Sequence, residues 1–233
     1  MAGGAGDDTY VVDDAGDVIA ESANQGIDTV EVMDGDYTLG ANLENATRTG
    51  TSWYSMEGNE LNNILRDNEG YSGLKGKGGN DTLDGGAGND MLAGGQGVDT
   101  YLFGSGDGAD TIADAEANTS EDILKFDLTD AGRIDFNQLW FSREQGTDNQ
   151  RISVMGTGDE VKVTDWYGAS GNHRLNSIVA ANGEGVQRTL SMADVDLLVQ
   201  AMAGMGAPSA GATNWAGAGL SATPQNQMLA VWH

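Results

Sequence analysis

A period of nine residues constrains this chain more than any other feature. Residues 76–84 read GKGGNDTLD, 85–93 read GGAGNDMLA and 94–102 read GGQGVDTYL, three consecutive copies of one template. The sixth position holds Asp81, Asp90 and Asp99, and the eighth is large and apolar: Leu83, Leu92 and Tyr101. A short fixed period marks an architecture in which one unit cannot bury its apolar side chain alone, so neighbours must stack. Six glycine-rich residues do not hold a helix, and the next three, with one apolar side chain, predict a short strand. Loop, strand, loop, strand predicts a coil two repeats around, with the eighth-position side chains forming a thin core. An acidic flexible linker would not keep this spacing.

Steps of nine backwards reach degenerate copies, Ser72 with Leu74 and Asn63 with Leu65. Forward steps need extra residues to reach Asp110 with Ile112, then Asp122 with Leu124. The N-terminus repeats the design: GGAGDDTYV carries Asp8 and Tyr10, followed by Asp17 with Ile19 and Asp28 with Val30. Between the two arrays, DYTLGANLENATRTG alternates like two short strands about Gly40-Ala41. The expected organisation is therefore N-terminal repeats over 1–31, a strand-turn-strand spacer over 32–57 and the main array over 58–125.

Charge follows the same division. Residues 1–122 contain 25 acidic and 4 basic side chains, net −21, out of −25 for the 233-residue chain. Such a surface repels nucleic acid and offers no basic stripe to displace counterions. Glycines at the first, second and fourth positions let the loops take positive φ and turn carbonyls inward, and the sixth-position Asp adds a carboxylate. Loops on one side of the coil lie eighteen residues apart, so Asp81 faces Asp99, Ser72 approaches Asp90 and Asp90 approaches Asp110. Stacked carboxylates repel unless a cation lies between them. Carbonyl and carboxylate oxygens in a flexible loop specify a hard ion of calcium's size. With no cysteine and two histidines, transition-metal sites and thiol chemistry are disfavoured.

The GGxGxD array closely resembles the calcium-binding nonapeptide repeats of RTX proteins, the haemolysin-type secreted proteins of Gram-negative bacteria. YTLGANLEN followed by GNELNNIL is similar to the spacer and re-entry of long RTX arrays. NQLWF at 137–141, VTDWY at 163–167 and the terminal LAVWH are similar to the last RTX block of the adenylate cyclase toxin. The resemblance implies an all-β fold: a parallel β-roll (β-helix) loaded with several Ca2+ ions, a β-rich C-terminal cap, one short helix and a flexible tail. Carried over by position, the ion-binding residues are Gly3, Ala5, Asp8 and Asp28 in the first array and Asn63, Gly76, Gly78, Gly79 and Asp81 where the second begins. Gly85, Gly86, Ala87, Gly88 and Asp90 follow, then Gly94, Gly95, Gln96, Gly97 and Asp99, and finally Asp110. Asn63 and Ser72 replace the sixth-position Asp, and Leu61 the fourth-position Gly, so sites using those loops should be weaker or empty. The resemblance further implies a secreted monomer, extracellular or at the cell surface. It would leave through type I secretion machinery with an uncleaved C-terminal signal.

The second half has its own pattern. RISVM, a GTGD turn and VKVTDW predict a hairpin within a capping β segment over 126–190. Ser191 to Asp194 forms a near capping box, and Val195, Leu198, Val199 and Met202 recur at helical spacing before Gly204, predicting a helix over 191–204. Beyond Asp196 no charged Asp, Glu, Lys or Arg occurs, and residues 205–233 read as a mobile tail carrying the export signal. Trp140, Trp166 and Tyr167 read as core rather than as a carbohydrate platform, His173 as structural and His233 as the terminus. No apolar run reaches the length of a membrane span, no signal peptide is read at the N-terminus, and no catalytic motif is present. The expected function is a non-enzymatic calcium-binding module. The alternatives are an adhesin or glycan-binding unit, or the non-catalytic C-terminal part of a secreted RTX enzyme.

Overall fold

A computed structural model describes residues 1–14, 16–51, 53–113, 121–129, 132–168, 175–181, 184–205, 207–209, 211–219 and 222–232. His173 and His233 lie outside the described residues. With strands numbered in chain order, one nine-stranded sheet runs β1 (Thr9–Val12), β2 (Thr29–Val32), β4 (Asn45–Arg48), β6 (Ile64–Arg66), β8 (Thr82–Asp84), β10 (Thr100–Phe103), β12 (Ile123–Phe126), β16 (Ser177–Ala181) and β17 (Gln187–Ser191). The facing eight-stranded sheet runs β3 (Tyr37–Thr38), β5 (Ser55–Glu57), β7 (Gly73–Gly78), β9 (Met91–Gln96), β11 (Ala109–Ile112), β15 (Glu160–Val163), β14 (Gln150–Val154) and β13 (Leu139–Arg143). β1 and β2 are parallel neighbours in the first sheet, and from β2 to β12 successive strands alternate between the sheets and pair in parallel with the coils above and below, which makes a β-solenoid of about six turns.

The eighth-position side chains form the predicted stack. Leu65, Leu83, Tyr101 and Leu124 are register partners in one sheet, and Met56, Leu74, Leu92 and Ile112 in the other. None is more than 2% exposed. Period-2 alternation puts every second strand residue into this core. A second inward column carries Val12, Val32, Phe103 and Phe126 but is interrupted by Arg48 and Asp67. Their side chains are fully buried and form an ion pair at 3.2 Å, since neither charge could stay in the core alone.

The stretch 32–57, expected as a spacer, forms coils of the same roll. It supplies β3, β4 and β5, and Gly40-Ala41 joins strands of opposite sheets rather than turning a local hairpin. Leu39, Leu43, Ala46 and Met56 take the inward positions there, each no more than 4% exposed. The loops lose the glycine template while the burial pattern persists.

The cap grows from the last coil. β15 extends the second sheet in parallel from β11, and β14 and β13 follow antiparallel as the predicted hairpin and one more strand. β16 extends the first sheet from β12 and turns back as β17. Helix α1 (Met192–Ala203) begins at Ser191 with a capping box to Asp194 and buries Val195, Leu198 and Met202. Trp140 and Trp166 are buried in the cap core.

The tail departs from expectation. Helix α2 (Ala222–Leu229) forms within it, and Trp215, Met228 and Trp232 are buried. The Trp215 indole N–H donates to Leu139 O at 2.9 Å, and the Trp232 ring stacks on Phe136 at 5.2 Å between centroids. Low charge made this segment read as having little to bury, but two indoles and a methionine supply enough apolar area to dock it.

Candidate metal sites

The loops joining the sheets line the two edges of the roll, and each edge carries a ladder of sixth-position residues. On one edge the Asn63 amide donates to Asp81 Oδ1 at 2.7 Å, Asp81 N to Asp99 Oδ1 at 2.7 Å and Asp99 N to Asp122 Oδ1 at 2.9 Å. On the other, Ser72 N donates to Asp90 Oδ1 at 2.8 Å and Asp90 N to Asp110 Oδ1 at 2.9 Å. At the N-terminus, Asp8 N donates to Asp28 Oδ1 at 2.9 Å. The predicted facing pairs therefore meet, each through one carboxylate oxygen.

The second oxygen is the informative one. Oδ2 of Asp8, Asp28, Asp81, Asp90 and Asp110 is buried without a hydrogen-bond partner. Several of these oxygens press against first-position glycines. A Cβ would lie 2.1 Å from Asp81 Oδ2 at Gly76, 2.5 Å from Asp90 Oδ2 at Gly85, 2.1 Å from Asp99 Oδ2 at Gly94 and 2.2 Å from Asp8 Oδ2 at Gly3. Fourth-position glycines stack carbonyl against α-carbon: a Cβ at Gly97 would lie 1.8 Å from Gly79 O, and at Gly79 2.4 Å from Leu61 O. Second-position Gly86 and Gly95 meet Asn68 O and Lys77 O in the same way. Only glycine fits these cradles, and the one second-position exception, Lys77, sits at φ +80°.

The loops differ from one uniform template. Gly76 and Gly78 lie at the end of β7, and Gly94, Gly95 and Gln96 at the end of β9, because Lys77 pairs with Gly95 and Gly78 with Gln96. On the other edge, 85–90 lie outside the strands; there Ala87 O accepts the Gly70 amide at 2.6 Å, while the Gly88 amide donates to Asp107 O at 2.8 Å. Ala5 is exposed in the first loop. Asn63 needs no ion: its Nδ2 donates to Glu44 O and Asn59 Oδ1, and its Oδ1 accepts the Asn59 amide. An amide N–H2 stands where Asp81, Asp90 and Asp110 have an unpartnered carboxylate oxygen. Asp17 instead accepts the amides of Asp13 and Asp14 in its own turn.

Two acids of these ladders lie off the nine-residue period. Glu44 accepts the Asp28 amide at 2.8 Å from sixteen residues away, and Asp159, in the cap turn, accepts the Gly106 and Gly108 amides at 2.9 and 3.3 Å. Only the broken period hid Glu44. Asp159 lies outside any repeat, so the sequence carries no signal for it.

Buried anionic oxygens without partners, glycine cradles around them and an all-oxygen donor set fit a hard divalent cation. The family model for the RTX calcium-binding nonapeptide repeat matches residues 74–101 in four copies. Residues 74–101 are therefore RTX calcium-binding nonapeptide repeats. This RTX array is a calcium-binding module. The chain is also similar to an endo-1,3-1,4-beta-glycanase, ExsH, of Rhizobium meliloti (strain 1021), at 40% identity over 70 residues. That match covers 30% of this chain and 15% of the relative's length. Among the described residues no helix is long and apolar enough to cross a membrane.

Ion-free, the RTX array holds its carboxyls in an unfavourable state. Burial pushes Asp81 and Asp90 up to about 7 and Asp110 up to about 8, against the amide hydrogen bonds that favour ionisation. In the unfolded chain these groups ionise near 3.9. Between those values the folded state binds more protons, so ion-free stability is greatest at the acidic end and is lost as pH rises through about 7 to 8. In chelator, β-sheet ellipticity should therefore fall between pH 5 and pH 8. Ellipticity that rises over that interval would contradict this assignment.

Proposed function

We propose that the array is the calcium-driven folding module of a larger secreted bacterial protein, with an uncleaved type I export signal in residues 205–233. The observation that carries the reading is the set of buried, partnerless Oδ2 atoms on Asp81, Asp90 and Asp110, each one coil from another acid or its Ser72 substitute. A bound calcium ion would supply the positive charge that these oxygens lack. Asp81 and Asp99 hold one edge, Asp90 and Asp110 the other, and glycine carbonyls complete the oxygen set. Without that charge, net −21 over residues 1–122 and a core one side chain thick favour the extended chain. Binding free energy thus becomes folding free energy. Extracellular calcium modules work at roughly 10⁻⁴–10⁻³ M, so a calcium-poor cell interior keeps the chain unfolded and exportable while the exterior folds it. Fusing the chain to a passenger and deleting residues 205–233 should abolish export through a type I system; undiminished export would refute the signal assignment.

A second reading, a glycan-binding unit or the non-catalytic part of a secreted enzyme, draws on two exposed aromatics and on the glycanase relative. Trp53 and Tyr71 are 71% and 54% exposed, and each lies two residues before a strand of the parallel pair β5 and β7. Retention on immobilised glucan that Trp53→Ala removes would favour it over a purely folding role.

A further inference from the structure

The N-terminal coil brings together three acids rather than two. One carboxylate oxygen from each of Asp8, Glu21 and Asp28 lies within 4.8 Å of the other two. Glu21 is not a sixth-position residue; it precedes the loop that leads into β2 and is supplied by no nonapeptide rule. Hydrogen bonds hold it in place: its carboxylate accepts the Tyr10 hydroxyl and the Ser22 amide, and Tyr10 in turn accepts the Gly3 amide at 2.7 Å.

Burial supplies the independent sign of a ligand. Asp28 is 1% exposed, and its Oδ2 is enclosed with no hydrogen-bond partner although its Oδ1 takes the Asp8 amide. Asp8 Oδ2 is in the same condition and abuts Gly3, where a Cβ would lie 2.2 Å away. A carboxylate oxygen in such a place needs a proton or a cation. Two further carboxylates within 4.8 Å make a cation the natural partner.

We infer that Asp8, Glu21 and Asp28 form a hard-cation site of calcium's class that binds more tightly than the consensus loops at 74–101. Number and charge of oxygen ligands set affinity in such sites, and this one offers three carboxylates where the consensus ladders offer sixth-position acids in pairs. It lies outside the family-model match at 74–101, and although residues 3–11 keep the repeat template, the added affinity comes from Glu21, which that template does not supply. Filling it first pins the first coil and gives the roll a folded end from which later coils stack. The inference rests on the calcium reading above.

Terbium, a hard lanthanide that neighbouring tyrosine sensitises, probes the site directly in the full chain. Tyr10 lies in the site, and Tyr10→Phe should remove the emission of the tightest step. Glu21→Gln should weaken that step at least about tenfold and leave the weaker steps unchanged, whereas Glu21→Asp, which keeps the charge, should weaken it less. Wild-type ellipticity at saturating calcium checks the fold of each variant. A tightest step insensitive to Glu21→Gln and Tyr10→Phe, or lost instead in Asp99→Asn, overturns the inference while leaving calcium-driven folding intact. A chain that shows no calcium-dependent ellipticity at all fails at the earlier reading instead.

Discussion

Gly97→Ala is expected to raise the calcium concentration needed to fold the array several-fold, or to prevent the central coils from closing. Gly97 sits at φ +134°, and a Cβ there would lie 1.8 Å from the carbonyl oxygen of Gly79 on the coil below. That atom belongs to backbone, so no side-chain rotation relieves the clash. Left-handed geometry alone costs an alanine roughly 1–2 kcal/mol, and forcing two stacked loops apart adds to it, for a total above about 2 kcal/mol. The loss is shared among the ions that bind in one cooperative transition, which is why the midpoint moves several-fold rather than by the full factor. Gly106→Ala is the matched control. Gly106 also has positive φ, +94°, but a Cβ there meets nothing within 4 Å, so only the backbone penalty of roughly 1–2 kcal/mol remains. Calcium titrations of the two variants by circular dichroism separate loop stacking from glycine flexibility. Equal shifts would contradict the stacked-loop geometry.

Trp215→Ala should release the C-terminal segment from the cap. The indole is 2% exposed, its N–H satisfies Leu139 O, and its ring lies 5.9 Å from Phe136. Truncating a buried tryptophan costs about 3–5 kcal/mol, and Leu139 O is left unpaired besides. Because α2 and Trp232 hold the rest of the tail over the same Phe136, the expected result is rapid proteolysis within the segment after α1. The calcium midpoint of the roll should stay near wild type, since Trp215 is held by Leu139 and Phe136 of the cap. Slow cleavage indistinguishable from the parent chain would show that the docking does not depend on Trp215. A docked tail also has a consequence for export: the segment proposed as a signal is anchored in the folded state through Trp215, Met228 and Trp232, while most of its described residues stay exposed.

The main coils were legible because two residue choices repeat at a fixed interval. An apolar eighth position names the core, and glycine with a sixth-position Asp names the edge. Where that interval slips, the physics persists but the text does not. Residues 32–57 keep Leu39, Leu43 and Met56 inward with no glycine loop to announce a coil, so they read as a spacer. Glu44 serves as a ladder acceptor at an interval of sixteen, and Asp159 does so from the cap. Arg48 and Asp67 occupy core positions that a hydrophobic pattern cannot predict, because each is tolerable only beside the other. The tail misled for a related reason: composition measures average hydrophobicity, while docking depends on a few large side chains. For the ion-binding set, the sequence marked Asp81, Asp90, Asp99 and Asp110 but not Glu21, which reaches its neighbours through the return path of the first coil.

Coupling of folding to calcium is the central claim, and far-UV circular dichroism of the full chain during a calcium titration at pH 7.5 tests it most directly, with magnesium in parallel. The account predicts a largely unfolded spectrum in chelator and a steep gain of β-sheet ellipticity on reaching roughly millimolar calcium. The gain should reverse on chelation, and magnesium should not substitute, since it holds its waters and demands stricter octahedral geometry. A β-sheet spectrum that is the same in chelator and in millimolar calcium would contradict it.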